Sequence, residues 1–199
     1  MVADETGGYT GRQVEGAQVF AMEWNVVVTL HARHYQLACQ LLGAFGVVSE
    51  TDYFNVLAMQ VDDPLGFLAA VEAAAQQDAA LRESLSRVMP VTTSFAFQSP
   101  AEFEQQAQQA AQLWLPNLAG HTFHVRMHRR GFKGRLSSQA EELFLDHFLI
   151  DSLQQQGSAA ELRFENPDFI LALETLGQRA GMSLWSREQI ARYTLLSLD

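Results

Sequence analysis

Between Gln105 and Ala140 the sequence holds no aspartate or glutamate, yet Arg126, Arg129, Arg130, Lys133 and Arg135 all fall there, beside His121, His124 and His128. A local surplus of guanidinium and ammonium groups is the chemistry that neutralises phosphates, and it works on any polyanion backbone. Gly131 and Gly134 interrupt the run, and a residue without a Cβ lets backbone amides approach an anion closely. Phe132 stands between cations, where an aromatic ring can stack on an unpaired base, a contact worth roughly 1–3 kcal/mol. A helix predicted to open near Ser138 brings unpaired N–H donors and the positive end of its dipole to the same place. The candidate contact set is therefore Arg126, His128, Arg129, Arg130, Phe132, Lys133, Arg135 and Ser138. The plain alternative is a solvated basic turn balanced by Glu141 and Glu142.

Presenting these residues takes a strand, a loop and a helix. His121 to His128 alternates, with Phe123, Val125 and Met127 on one face and His124, Arg126 and His128 on the other. Residues 129–135 read as a loop, and Ser138 with Glu141 reads as a capping box opening a helix to about Gln156. Upstream, Ser99 as cap, Pro100 at the first helical position and Glu102 as reciprocal partner open another helix, closed by Pro116 and Gly120. Its glutamines are expected on a solvated face opposite Phe103, Ala107, Ala110, Ala111 and Trp114. Downstream come a short strand near Leu162 to Phe164, a turn at Asn166 to Asp168, and a strand from Phe169 to Leu176 that is apolar on both faces, as a central strand is. A helical turn at Ser186 to Arg192 and a last strand at Tyr193 to Leu198 complete the reading.

The first half reads β-α-β-β-α-β: a strand at Trp24 to Leu30, a helix from Ala32 to Phe45 stopped by Gly46, strands Val47 to Glu50 and Phe54 to Val61, a helix opened by Pro64 behind Asp62 and Asp63, and a strand Val88 to Phe97. That order is the ferredoxin-like one. Residues 1–20, with Gly7, Gly8, Gly11 and Gly16 and few large apolar side chains, are expected to form a disordered tail. The predicted fold class is α+β, with the tail at 1–20, a ferredoxin-like lobe at 21–97 and a second α/β domain at 98–199.

Composition sets the outer bounds. A chain of 199 residues, 48% of them hydrophobic, can bury one large core or two small ones. Its net charge of −10 argues against indiscriminate attraction to nucleic acid or anionic membrane. The charge is uneven, with 4 cations against 11 acids up to Phe97, and 9 against 12 from Gln98 onward. Cys39 is the one cysteine, which excludes an internal disulfide and any multi-cysteine zinc site; in an apolar helix it is expected to be an inert packed thiol. No eighteen apolar residues follow one another and the start has no cationic, apolar leader pattern, so no membrane partner and a cytoplasmic location are expected.

Other constellations point to no chemistry. His124 and His128 share a strand face but stand about 13 Å apart, too far to chelate one ion. His31 and His34 lack a second pair, and His147 sits on the helical stripe of Ala140, Leu143, Phe144 and Phe148, where an edge-of-core histidine is expected. Nothing marks two carboxylates with split pKa values, and there is no dinucleotide, Walker or nucleophile-elbow motif. Neither catalysis nor a cofactor is expected.

From about Phe97 to Leu198 the chain resembles a THUMP domain, the RNA-binding module of tRNA thiolation, methylation and acetylation proteins. The residues that carry the resemblance are the entry helix ending near Trp114, Thr122-Phe-His-Val-Arg126, the basic loop to Arg135, the helix opened at Ser138, Glu161 to Asp168, and Phe169-Ile-Leu-Ala-Leu-Glu174. Gly181-Met-Ser183 stands for the family's later Gly-x-Ser turn. A ferredoxin-like lobe directly before such a domain is typical of the family, so the resemblance implies a ferredoxin-like lobe followed by a THUMP-like α/β domain. It further implies a grip on the acceptor stem and single-stranded 3′ end of tRNA. With no methyltransferase, pyrophosphatase or deaminase sequence after residue 199, it implies a noncatalytic adaptor that assists a separate tRNA-modifying enzyme, a cytidine acetyltransferase. Two other readings stay open: a protein-interaction module whose acidic first lobe docks a basic partner without RNA affinity, and an enzyme on a ferredoxin-like scaffold.

Overall fold

The computed structural model describes residues 23–31 and 35–198; the expected tail at 1–20 and His34 lie outside them. Strand β1 (Val26–Leu30), helix α1 (Tyr35–Leu42), strands β2 (Val47–Glu50) and β3 (Val56–Gln60), helices α2 (Pro64–Gln77) and α3 (Ala79–Ser84) and strand β4 (Leu85–Pro90) build a first sheet in the order β2-β3-β1-β4. All its pairings are antiparallel. Val26, Val28, Leu57 and Ala58 have no accessible surface, because the two central strands are covered on both faces. Asp63 caps α2 by accepting the N–H groups of Leu65 and Gly66, with Pro64 at the first turn where no amide is needed. Asp78 starts α3 in the same way.

A second sheet follows from β5 (Thr93–Ala96), β6 (Thr122–Arg130), β7 (Glu161–Leu162), β8 (Phe169–Leu176) and β9 (Arg179–Ser186), in the order β5-β9-β8-β6-β7. β6 runs parallel to β7 and β8, while β9 is antiparallel to β8 and β5. Helices α4 (Pro100–Ala111), α5 (Leu115–Leu118) and α6 (Ser138–Gln155) belong to this half, with a short α7 (Arg187–Arg192) at its end. Phe97, Phe103, Phe123, Leu145 and Leu149 fill the core between the sheet and its helices. The other core joins Trp24 and the strands of the first sheet to Ala172 and Trp185 of the second.

Three expectations about elements are corrected. The single strand Val88 to Phe97 is two strands in different sheets, because the chain crosses from one sheet to the other at Val91 and Thr92. The chain thus enters the second sheet at Thr93, inside the stretch assigned to the first lobe. Gly181-Met-Ser183 is not a turn but the middle of β9, and a Cβ at Gly181 would meet the Val91 side chain at 2.6 Å. Glycine is there for close packing. Tyr193 to Leu198 is not a strand: Leu195, Leu196 and Leu198 are buried in the first core, and Val88 donates its N–H to the Leu195 carbonyl.

Candidate nucleic-acid interface

β6 carries the candidate side chains to one end of the second sheet. Phe123, Val125 and Met127 enter the helix-side core, so His124, Arg126 and His128 lie on the opposite face. In the parallel pairing, Arg126 stands beside Ala172, His128 beside Glu174 and Arg130 beside Leu176. That face looks toward the first sheet, and the consequence for the cations is large. Arg130 turns inward, with Nη1 2.6 Å from Glu174 Oε2 and Nη2 3.1 Å from the Thr29 hydroxyl. Arg87 of β4 reaches the same carboxylate from the other sheet, 2.6 Å from Oε1, and donates to His128 Nδ1 at 3.2 Å. Glu174 has no solvent exposure and is the buried centre of this cluster. Neither Glu174 nor Arg87 is among the sequence candidates for the site; the readable signal is a lone carboxylate inside the apolar run Phe169 to Leu176.

The loop after β6 closes on itself. Arg129 donates from Nη1 to the Gly131 carbonyl. Phe132, at φ +50, packs its ring 4.9 Å from Phe97, and the Arg135 guanidinium sits over the Phe132 ring, 4.6 Å from its centroid. Gly131 and Gly134 both adopt positive φ, but for different reasons. A Cβ on Gly131 would meet Gly177 Cα and the Tyr53 hydroxyl at 2.8 Å, whereas a Cβ on Gly134 would meet nothing within 4 Å beyond its chain neighbours. Gly131 seats the loop on the body, and Gly134 leaves backbone facing open space. Lys133 and Arg135 are exposed, and Arg126 is partly exposed with Nη1 4.0 Å from Glu142 Oε2. The eight candidates therefore divide. Lys133, Arg135, Arg126 and the start of α6 face outward, Arg129 is half-buried and bonded to its own loop, and Arg130, His128 and Phe132 are held by the body.

α6 opens one residue earlier than its predicted cap. Ser137 accepts the Ala140 N–H at 3.4 Å, and Ser138 is the first helical residue. Glu141 is not a reciprocal capping residue: it is buried, and burial, with Glu104 nearby, pushes its carboxyl up to about 7. The buried face of α6 is Leu145, Leu149 and Leu153, while Leu143 is half exposed and His147 faces solvent, so the edge-of-core expectation for His147 is corrected. The reason lies at the edge of β6, which β7 covers only at Thr122 and Phe123. Beyond it, Asp146 accepts the Val125 N–H at 2.8 Å and Glu142 accepts the Met127 N–H at 2.7 Å. The helix is turned to bring those two carboxylates onto an otherwise unpaired strand edge.

This edge gives a pH dependence. Burial pushes the Asp146 carboxyl up to about 7, outweighing the Val125 N–H bond and the Arg126 charge, which lower it. Its pKa is raised above the unfolded value, so its stabilising contribution is complete at acid pH and is lost as pH rises through about 7. The fold is expected to lose about 1.4 kcal/mol per such group between pH 6 and pH 8. Asp146→Asn keeps an acceptor for Val125 and should flatten that slope in urea melts taken across the range; an unchanged slope would refute the assignment.

Elsewhere the chemistry is quiet. Cys39 is half-buried, and burial raises its thiol pKa, with Glu50 acting the same way. Among the described residues no three His, Cys, Asp or Glu side chains gather where they could hold a metal ion, and no helix is long and apolar enough to cross a membrane.

No known family model and no curated protein matches the chain. Solved structures do. PH1313 from Pyrococcus horikoshii Ot3 is similar with a TM-score of 0.54 at 12% identity, over 81% of this chain and 54% of that one. TrmN from Thermus thermophilus is similar with a TM-score of 0.56 at 14% identity, over 80% of this chain and 44% of that one. The chain thus spans about half the length of the structures it matches. At these identities the likeness is one of fold: a mixed α+β architecture with two sheets.

Proposed function

We propose that this protein binds tRNA through the loop after β6 and acts, without catalysis of its own, as an adaptor for a separate RNA-modifying enzyme in the cytoplasm. In this reading β1 to β4 with α1, α2 and α3 form a ferredoxin-like lobe, and the chain from Thr93 onward forms the RNA-binding unit. The observation that carries it is the outward pair Lys133 and Arg135 on either side of Gly134, whose left-handed backbone faces open space at the start of α6. Exposed cations, an accessible backbone and a helix N-terminus converge there on one anionic ligand. The THUMP-like fold agrees with it. Phe132 serves in this reading as the seat of the loop, and Arg130 and His128 as its anchors, not as RNA contacts.

Affinity for a tRNA transcript should fall steeply with salt. Lys133→Ala with Arg135→Ala should flatten the slope of log affinity against log salt by about 1.5–2, the value for two phosphate contacts, and weaken binding across all tRNA sequences. Equal slopes for variant and parent would refute the site. A second reading, a protein-interaction module without RNA affinity, is favoured by the commitment of Arg130 to Glu174 and the nearness of Arg126 to Glu142. A protein partner retained after nuclease treatment, with no salt-dependent tRNA binding, would decide for it.

A further inference from the structure

The first sheet has two edges, and they are treated differently. β4 is covered by the C-terminal segment through the Val88 to Leu195 hydrogen bond, whereas the described residues place no bonded segment along the outer side of β2. Edge strands are ordinarily protected by lysine, proline or a bulge. β2 reads Val47-Val48-Ser49-Glu50 in regular register with β3; it is short and carries one charge, Glu50, but has no lysine, proline or bulge. Val47 is 66% exposed, and Phe54 at the hairpin tip is 85% exposed. The surroundings are acidic: no lysine or arginine occurs between Arg33 and Arg82, while Glu50, Asp52, Asp62 and Asp63 are exposed. Glu50 and Asp52 also line a cleft of about 440 Å³ with Trp24, Tyr53 and Arg179, whose guanidinium is turned to the Ser94 hydroxyl at 2.9 Å.

These features fit one kind of occupant. A second copy of the chain would bring the same carboxylates against themselves, and RNA would be repelled by them. A strand added to β2 gains main-chain hydrogen bonds regardless of sequence, and its side chains are then selected by their neighbours. The residue facing Glu50 meets a carboxylate, and the one facing Val47, three positions along and on the other side of the strand, meets an apolar surface. We propose that β2 is a docking edge for an extended basic segment of a partner protein, with a lysine or arginine set against Glu50 and Asp52 and an apolar residue three positions away covering Val47. The proposal rests on the adaptor reading, since it names the surface through which such an adaptor meets its enzyme.

The test titrates the full chain, at low salt, with a capped Arg-Thr-Thr-Val-Thr-Arg peptide and with its twin N-methylated on alternate amides. Exchange of the alternate amides of 47–50 that point away from β3 should slow by about ten-fold or more with the peptide and not with the twin. Val47→Lys with Glu50→Lys, both at exposed positions, should abolish the effect. Equal binding of the twin, protection elsewhere or not at all, self-association through β2, or slowing of the same amides by tRNA would each overturn the proposal. The Lys133→Ala and Arg135→Ala variant should keep peptide binding, so failure of the RNA site and failure of the docking edge are read separately.

Discussion

Glu174→Ala is expected to lower the unfolding free energy by about 3–5 kcal/mol, because it leaves two guanidinium groups in a dry interface without a counter-charge. Arg87 is 6% exposed, and the Arg130 side chain 16%. At this chain length each kcal/mol is worth about 2–4 °C, so the melting temperature should fall by about ten degrees or more. Glu174→Gln, which keeps hydrogen-bond acceptors but not the charge, should fall between the parent and the alanine variant. A triple change of Arg87→Met, Arg130→Met and Glu174→Leu should recover most of the loss, since burying two charges costs as much as the pairing returns. Urea melts at pH 7 decide it, and a loss under about 1 kcal/mol, the scale of an exposed ion pair, would sink the idea of a buried clamp.

The same cluster separates anchoring from contact. Arg130→Ala removes a partner of Glu174 and of Thr29, so its main effect should be on stability, with little change in the salt slope of tRNA binding. Lys133→Ala should do the reverse. Nothing in the one-dimensional run of five cations distinguishes these two residues, because the difference lies in which strand end meets the neighbouring sheet.

Local rules located much of the fold. β1, β2 and β3 fall inside the stretches 24–30, 47–50 and 54–61 read as strands, and Asp63-Pro64 and Ser99-Pro100 open helices as their capping chemistry dictates. β8 is flanked by β9 and β6, as its two apolar faces required. What the sequence hid was long-range. β9 escaped notice because its inner face carries Gly181 and Ser183, residues that read as a turn. Their reason is tertiary: Gly181 admits Val91, and the Ser183 hydroxyl donates to the Pro90 carbonyl while accepting from the Trp185 indole N–H. The rotation of α6 was misread because apolar residues surround it, and only the uncovered edge of β6 explains why Asp146 faces in and His147 out. The candidate site was legible as a place, a basic loop between strand and helix. Its division into outward cations and inward anchors was not, because Glu174 and Arg87 come from 44 and 43 residues away.

Stopping the chain after Arg192 is expected to unfold the first lobe or leave it without a stable core, although the removed segment forms no strand or helix. Leu195, Leu196 and Leu198 are 8%, 3% and 5% exposed among residues of the first core. Removing one buried leucine side chain costs about 2–5 kcal/mol, and a domain has only about 5–15 kcal/mol in all. Polar anchors hold the segment in place. Glu72, itself buried, accepts the Leu195 N–H at 2.5 Å and the Thr194 hydroxyl at 3.1 Å, and Arg87 donates from Nε to the Ser197 carbonyl. Leu196→Ala in the full chain grades the effect: it should cost about 2–5 kcal/mol and leave the fold intact enough to measure. Exchange at the Val88 amide gives the local reading, since its acceptor is the Leu195 carbonyl and truncation leaves that donor exposed on the edge of β4. A truncated chain with the parent's urea midpoint and an equally slow Val88 amide would mean that the first core closes without its last leucines, and that the segment only rests on it.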